Sequence, residues 1–336
     1  VGEHIFESID TPELFQCILV SKTWKALAEK VLLKRWKGKI FDACKNGETQ
    51  VVQLLLECRN TEELGLNIKY DEDEFTSFMM ACCYGHRDVA QLLLSEPSIE
   101  LNASTEDGMT AFMMACDNGH TDVVRLLVDY TGLNIDLKAR DTYGMTALML
   151  ACFNGHKDVA KLLLDHSKRI DLNVRDDDGC TAFVMACSNG HKDVVQLLLD
   201  HSERIELNAR SNSGYTALME ACEKGHKDVV QLLLNYSDRN IELNARRDNG
   251  FTAFMFACSN GHTDVVKLLL GHSERIELNA RGNGGLTAFM TACENGHKDV
   301  VKLLLDHSDR RKIELNARDV NGFTAFTKMH SMINKK

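Results

Sequence analysis

The strongest constraint on the fold is a short phrase that recurs along the chain at nearly constant spacing. A Gly-His-x-Asp motif occurs seven times, and its successive histidines lie 34, 36, 35, 35, 36 and 35 residues apart. The seven histidines are His86, His120, His156, His191, His226, His262 and His297. A single globular core would not impose such a period, so the sequence predicts stacked supersecondary units.

Each unit has the pattern of two short helices and a turn, as residues 144–175 illustrate. Thr146 can act as the N-cap of a helix over Ala147–Phe153. The pair Asn154-Gly155 is a turn signal that ends this helix. Residues 156–166 then place valine, alanine and leucine on one broad apolar face, which predicts a second helix. Because such a helix pair cannot bury its apolar faces alone, each unit must stack on its neighbours.

Composition agrees with a helical fold. The chain has only two prolines, Pro12 and Pro97, where average usage would give about seventeen. Apolar residues make up 44% of the chain and charged residues 26%, a balance that excludes wholesale disorder.

The charge balance limits the classes of partner. Lysine and arginine total 39 against 49 aspartates and glutamates, a net charge of -10. We expect no nucleic-acid partner, because neutralising phosphates requires a basic surface. No stretch approaches the roughly 18 consecutive apolar residues of a membrane span, so we expect no membrane partner either.

Twelve cysteines are present, and eight of them occupy one equivalent position per repeat. These eight are Cys44, Cys82, Cys116, Cys152, Cys187, Cys222, Cys258 and Cys293. Stacked helices lie about 8–10 Å apart, farther than the roughly 6.8 Å between Cα atoms that a disulfide tolerates. We interpret the eight thiols as small buried fillers in a reducing compartment, and no basic and apolar leader marks the chain for secretion. We therefore expect a cytoplasmic and/or nuclear protein.

No residue pattern in the chain predicts catalysis. Seven near-identical Gly-His-x-Asp units would mean seven active sites in one stack. The sequence has no Gly-rich phosphate loop, no G-x-S-x-G motif and no C-x-x-C pair for a metal. We therefore expect no enzyme, no catalytic residue, no metal and no cofactor.

The repeated unit resembles the ankyrin repeat. The shared motifs are Asp-x-x-Gly-x-Thr, Ala-Cys-x-Asn-Gly-His, x-Asp-Val-Val-x-Leu-Leu-Leu and Leu-Asn-Ala. They cover residues 39–336 as eight repeats and a half-repeat from Asn321. Thr-Ala-Phe-Met stands where the family usually has Thr-Pro-Leu-His, and alanine preserves the helix at that position. The resemblance implies an all-α solenoid of helix-turn-helix repeats with β-turn fingers.

Residues 1–38 form a different unit, which resembles an F-box. Its motifs are an Ile-x-x-x-Ile run from Ile5 to Ile9, the segment Asp-Thr-Pro-Glu-Leu and the block Val20-Ser-Lys-Thr-Trp24. The Leu-Pro pair that normally opens the motif is absent and the chain begins with Val1, so we expect a truncated start. The resemblance implies three short helices that bind a Skp-family adaptor and, through it, a cullin complex. The adaptor-binding residues would be Ile5, Phe6, Ile9, Leu14, Val20 and Trp24.

A second interpretation of residues 1–38 stays open. Repeat arrays need capping helices with a polar outer face, and a short helical segment can serve as that cap. An exposed apolar face on this segment favours the F-box, whereas a polar face favours the cap.

The ankyrin resemblance also places the partner-binding residues on the turns and on the exposed side of each first helix, which together form a concave surface. The position after the turn glycine is apolar in every repeat, a pattern typical of an interaction surface if these side chains are exposed. From this row we predict contacts by Met109, Met145, Tyr215, Phe251 and Leu286, and from nearby aromatic residues by Tyr84, Tyr143 and Phe153. The alternative is that the row tucks under the neighbouring turns.

Charge differs between the earlier and the later turns. Arg140 and Arg175 are each followed by an aspartate, whereas Arg246-Arg247 and Arg281-Gly282 lose or delay the acid. We therefore predict that Arg246, Arg247 and Arg281 form a basic rim suited to a peptide with acidic and apolar residues. A plain solvated face is the alternative.

Taken together, the resemblances imply a substrate receptor of an SCF-type cullin–RING ubiquitin ligase, with the F-box on the adaptor and the ankyrin surface on a protein substrate. The rival interpretation is a non-ligase ankyrin scaffold or inhibitor whose N-terminal helices only cap the array.

Overall fold

The computed structural model describes a defined part of the chain in two compact units, Val1–Thr142 and Tyr143–Lys336. The described residues are 13, 14, 27, 28, 30, 31, 34, 39–57, 65–70, 74–130, 134–166, 168–236, 241–311 and 313–328. Within these ranges, no helix has both the length and the apolar character that crossing a membrane requires.

The first unit pairs short helices in chain order. They are α1 (Ile40–Lys45), α2 (Thr49–Glu57), α3 (Ser77–Cys83), α4 (Arg87–Leu94), α5 (Ala111–Asp117) and α6 (Thr121–Asp129). Ahead of α1, the described residues Glu13, Leu14, Leu27, Ala28, Lys30, Val31 and Lys34 are also helical.

The second unit continues the same alternation. Its helices are α7 (Ala147–Phe153), α8 (Lys157–Asp165), α9 (Ala182–Ser188), α10 (Lys192–Leu199), α11 (Ala217–Lys224), α12 (Lys227–Asn235), α13 (Ala253–Ser259), α14 (Thr263–Gly271), α15 (Ala288–Glu294) and α16 (Lys298–Arg311). A 3-10 turn, Asn283–Gly285, precedes α15.

Within each unit the helices form two layers. Odd-numbered helices, the first of each repeat, pack side by side, and even-numbered helices pack in a second layer behind them. The parts of the chain that the structure describes contain isolated bridges, Tyr70 with Phe75 and Ser104 with Thr110, but no extended strands. The predicted all-α solenoid is confirmed.

A threonine side chain caps each complete first helix from α3 onward. Thr146 Oγ1 accepts a hydrogen bond from the Met149 backbone N–H at 3.4 Å, and α7 spans the predicted Ala147–Phe153. The cap satisfies one of the backbone donors that a helix leaves open at its start. The equivalent caps are Thr76, Thr110, Thr181, Thr216, Thr252 and Thr287.

The repeated cysteines lie inside the first-helix layer. All eight are at most 3% exposed, and the described cysteines form no disulfide. Burial raises the pKa of the Cys44 and Cys152 thiols to about 12, because a thiolate loses its hydration there. The prediction that these thiols are structural fillers is confirmed.

The Gly-His pair joins one repeat to the next. His226 Nε2 lies 3.0 Å from the Ser188 carbonyl oxygen, at the end of the first helix of the preceding repeat. Gly190, at φ +75°, lies directly beneath this ring, and a Cβ added there would meet His226 Nδ1 at 2.5 Å. The histidine therefore fixes the turn of its neighbour as well as its own, and this contact accounts for the regular spacing of the pair.

Asparagine side chains and the turns before the first helices add further links between repeats. Asn244 donates to the Arg275 carbonyl at 2.8 Å and accepts from the Glu277 N–H at 2.8 Å. The β-turn before each first helix is here called a finger. The Asn212 N–H donates to the Asp178 carbonyl at 2.7 Å, which holds two neighbouring fingers together.

Candidate partner-binding surface

The predicted adaptor-binding residues fall almost entirely in the N-terminal segment outside the described residues. These are Ile5, Phe6, Ile9, Val20 and Trp24. Leu14 is described, and its side chain is fully buried in a helical stretch. Contact of Leu14 with an adaptor stays a prediction, as it does for the five residues outside the described part of the chain.

The apolar row after the turn glycines is half-buried. This holds for Phe75, Met109, Met145, Cys180, Tyr215, Phe251 and Leu286. Phe323, in the last half-repeat, is 52% exposed. The row is thus shared between intramolecular packing and the surface.

Phe251 shows why part of the row is covered. A Cβ added to Gly282 would lie 2.8 Å from Phe251 Cδ2, so the ring rests against the backbone of the next finger. Its other side meets the Phe256 ring, with centroids 5.5 Å apart. Phe251 is therefore packed under the neighbouring finger, as in the alternative to an exposed row. Gly282 leaves room for the ring because it has no side chain.

Tyr215 and Arg247, both predicted partner contacts, pair with each other. The Arg247 guanidinium carbon lies 4.3 Å from the centre of the Tyr215 ring, and its Nη1 donates to the tyrosine oxygen at 3.1 Å. Tyr215 also donates to Glu223 Oε1 at 3.3 Å and packs on the Phe256 ring at 5.2 Å. These contacts hold the Tyr215 ring in place and cover one of its faces with the Arg247 guanidinium.

Two of the three arginines of the predicted basic rim, Arg246 and Arg281, form ion pairs between repeats. Arg246 donates to the Arg281 carbonyl at 3.0 Å and pairs with Glu277 at 2.7 Å. Arg281 makes the same contacts one repeat later, with the Arg318 carbonyl at 2.9 Å and with Glu314 at 3.4 Å. Each of these arginines therefore links its repeat to the next and is paired with a glutamate there, and its contact with a partner stays a prediction.

The three predicted aromatic contacts outside the row are exposed. In the first unit Tyr84 is 49% exposed, with Lys45 Nζ 5.9 Å from its ring centre. In the second unit Tyr143 is 66% exposed and Phe153 is 47% exposed. Exposed aromatic side chains are frequent anchors of protein interfaces.

Tyr143 and Phe153 lie at the edge of a groove with a volume of about 390 Å³. Its lining comes from fingers and first helices of consecutive repeats in the second unit. The lining residues are Tyr143, Met145, Phe153, Asp176, Asp177, Asp178, Cys180, Val184, Met185, Ser188, Asn189, Glu220 and Lys224. The volume falls within the range of about 300–1,000 Å³ that is typical of ligand sites in proteins.

Cys180 accounts for the open space in this groove. The equivalent positions in the two adjoining repeats hold Met145 and Tyr215, whose side chains are much larger. A single cysteine between them leaves a gap above the α9 residues Val184 and Met185. The groove therefore results from one small residue in a row of large ones.

One side of the groove is an acidic finger, formed by Asp176, Asp177 and Asp178. Asp176 Oδ1 accepts the Cys180 N–H at 2.7 Å, which leaves the other two aspartates exposed at the turn. Burial is the main cause that raises the pKa of Cys180 to about 12, and the nearby Asp176 and Glu220 carboxylates add to it, while Arg175 acts in the opposite direction. Nowhere among the described residues do His, Cys, Asp and Glu group to hold a metal ion.

The opposite end of the groove is polar and internally paired. Ser188 donates to Glu220 Oε2 at 2.8 Å, and Lys224 donates to Ser188 Oγ at 2.6 Å. Lys224 also lies 3.9 Å from Glu220. The lysine charge is thus compensated within the groove, whose other charged lining residues are the three aspartates of the acidic finger.

Sequence reasoning found the aromatic edge of this groove but missed its acidic side. Two signals were available in the sequence. Glu220 is a carboxylate at a helix position where other repeats have Met114, Leu150 or Met185, and Asp176–Asp178 places three consecutive carboxylates in one finger. Neither signal shows by itself that the two features face one space.

Comparison with known families places these observations in context. The family described as ankyrin repeats (3 copies) matches residues 37–105, 98–176, 168–247 and 238–319, and the F-box domain family matches residues 1–36. No individual curated protein matches the chain. Since the repeat matches cover most of the sequence and agree with the two-layer fold, the chain belongs to the ankyrin-repeat family and carries an F-box domain ahead of its repeats.

Proposed function

We propose that this chain is the substrate-recognition subunit of an SCF-type cullin–RING ubiquitin ligase. The observation that carries the proposal is an F-box domain at residues 1–36, immediately followed by an ankyrin array. Both kinds of domain are interaction modules. The F-box would bind a Skp-family adaptor in a cullin complex, and the ankyrin surface would hold a protein substrate.

In this proposal the chain supplies binding and geometry, and catalysis belongs to partner subunits. Within the second unit, side-chain bonds such as that between His226 Nε2 and the Ser188 carbonyl fix one repeat to the next, which suits this part of the array to hold a partner. Such a subunit would act in the cytoplasm or the nucleus.

Adaptor capture tests the proposal. We expect a purified Skp-family adaptor to be retained by the chain and to be lost from a Val20→Asp/Trp24→Ala variant, since both substitutions remove apolar docking surface. The measurement is the amount of adaptor retained in a pulldown. Ile68→Asp is the matched control, because Ile68 is 55% exposed in the ankyrin part and receives the same change in charge.

Circular dichroism and a thermal melt would show that the double variant keeps its helical array. The ligase proposal is overturned if the intact chain retains no adaptor, or if the folded double variant retains as much as the control.

A non-ligase ankyrin scaffold or inhibitor is the second candidate. It is favoured by the burial of Leu14, Ala28 and Val31, since a helical cap needs such inward-facing residues. Failure of a correctly folded chain to bind the adaptor would support this candidate.

A further inference from the structure

The groove at Cys180 combines apolar surface with strong negative charge. Met145, Phe153 and Met185 contribute the apolar part, and the acidic finger lies along one side. Four carboxylates line the groove against one lysine, which Glu220 and Ser188 already engage. A partner must therefore supply apolar surface together with positive charge.

The acidic finger is held in place before any partner arrives. The Asp177 N–H donates to the Tyr143 carbonyl at 3.0 Å on one side. On the other side, Asn212 donates from its backbone to the Asp178 carbonyl and from its side chain to the Asp177 carbonyl, each at 2.7 Å. A finger fixed by both neighbouring fingers loses little conformational entropy on binding, which favours affinity.

We infer that this groove binds an extended segment of a protein partner in which an apolar side chain is flanked by lysine or arginine. The apolar side chain enters the space above Cys180, against Val184, Met185 and Phe153. The flanking cations lie beside Asp177 and Asp178 at the rim. The inference rests on the proposed function in that the segment would belong to the protein to be ubiquitinated.

The basic segment inferred for this groove differs from the acidic partner that the sequence indicated for the arginine rim. That expectation depended on a basic rim, and its arginines Arg246 and Arg281 are paired with Glu277 and Glu314. The groove instead presents aspartates where a bound cation can reach them, and the net charge of -10 adds long-range attraction for a basic segment.

The test uses three fluorescein-labelled peptides of nine residues in 150 mM salt. The first alternates lysine with leucine and a central phenylalanine, the second replaces every lysine by glutamate, and the third keeps the lysines but replaces the apolar residues by serine. Fluorescence anisotropy measures the Kd of each. We expect the first peptide to bind at least tenfold more tightly than either of the others, because only it satisfies both the apolar and the acidic part.

Two variants of the full chain locate the binding. Cys180→Tyr fills the groove with a residue that the equivalent position of the next repeat already carries, Tyr215. We expect it to weaken the first peptide more than tenfold. Val320→Tyr adds a tyrosine at an exposed position of another finger, outside the groove, and is expected to leave the Kd unchanged.

The second variant, Asp177→Asn/Asp178→Asn, removes the rim charge. Asparagine occupies these two turn positions naturally at Asn212 and Asn249, so the finger can keep its shape. We expect the first peptide to bind about fivefold to tenfold more weakly. Asp248→Asn, at the same turn position of another finger, is the control and is expected to have no effect.

The inference is overturned if the glutamate or the serine peptide binds as tightly as the first, or if both groove variants bind like their controls. Equal binding by all variants would indicate general attraction to an acidic surface. The adaptor pulldown is run on the same variants. If the intact chain binds the first peptide but retains no adaptor, the result counts against the ligase proposal alone. If the intact chain retains the adaptor but does not bind the first peptide, the result counts against the groove alone.

Discussion

At the scale of single residues, five glycines of the repeated motif are under two separate demands, namely Gly85, Gly155, Gly190, Gly225 and Gly261. Their φ values lie near +75°, a region that is costly for residues with a Cβ. Each also lies against the histidine ring of the next repeat, which leaves no room for a Cβ. The second demand is a contact between repeats, and it explains why the pair recurs as a unit.

The two demands can be separated by comparing two glycines. Gly190→Ala meets His226 at 2.5 Å, whereas Gly284→Ala has the same backbone conformation, φ +77°, and no heavy atom within 4 Å. We expect Gly284→Ala to lower the free energy of unfolding by about 1–2 kcal/mol. Gly190→Ala should cost at least about 1 kcal/mol more, because the histidine is displaced from its hydrogen bond. Urea denaturation measures both, and equal losses would contradict the role assigned to His226.

At the scale of secondary-structure elements, the first helices are too short to be stable alone. Most contain seven residues, below the roughly 12–15 at which isolated helices become marginally stable. Their stability comes from the threonine cap and from the side-by-side packing of the first-helix layer. The repeated threonine therefore stabilises the helix that follows it, although it lies just before the first helical residue.

Thr181 provides a direct test of the cap. Its Oγ1 accepts the Val184 N–H at 3.4 Å, and the residue is 1% exposed. We expect Thr181→Ala to lower the free energy of unfolding by about 1 kcal/mol, with a range of about 0.5–2. Thr181→Ser keeps the oxygen and is expected to lose less than half as much. The urea midpoint checks both, and a serine variant as unstable as the alanine variant would show that packing of the methyl group dominates.

At the scale of the whole molecule, a thiol at the same position of every repeat couples stability to pH. Burial raises the pKa of the Cys152 thiol from 9.0 to about 12, and the pKa values of Cys187 and Cys258 are also well above 9.0. The unfolded chain ionises these thiols above about pH 9, while the folded chain keeps them protonated. The stability that these buried thiols contribute is therefore fully present below pH 9 and is lost as the pH rises from 9 towards 12.

Removal of one buried thiol should reduce this loss. Between pH 9.5 and 11 we expect the free energy of unfolding of Cys152→Ala to fall less steeply than that of the native chain, by about 1 kcal/mol per pH unit. Cys83→Ala is the control, because Cys83 is only half-buried, and its effect on the slope should be smaller. Urea titrations at several pH values measure the slopes, and parallel slopes for all three proteins would contradict the linkage.

Much of the architecture is readable from the repeats because it depends on contacts that each unit makes in the same way. The N-cap threonine and the buried cysteine could be placed at Thr146 and Cys152 from one unit and then transferred to the others. The limits of α7, Ala147–Phe153, were likewise predicted from the cap and the turn signal alone. These features are local, or they repeat with the period, so a single chain contains several independent copies of the evidence.

The candidate site was only half predicted, because it arises where repeats differ. Tyr143, Met145 and Phe153 stood out as apolar residues at positions expected to be exposed. The negative charge of the site could not be predicted in the same way, because the sequence does not show which arginines form ion pairs. Arg246 pairs with Glu277, 31 residues away in the chain, and the sequence alone does not reveal this ion pair.

The sequence by itself determined the period, the helix pairs, the caps and the interior of the stack, since these follow from hydrophobic pattern and turn chemistry within about 35 residues. Only the tertiary structure decided where a partner can bind. It brings Phe153, Cys180 and Glu220 from three consecutive repeats to one groove and covers Phe251 with the finger at Gly282. Stacking sets which side chains of neighbouring repeats meet, and small differences in side-chain size and charge between repeats then open one space and close another.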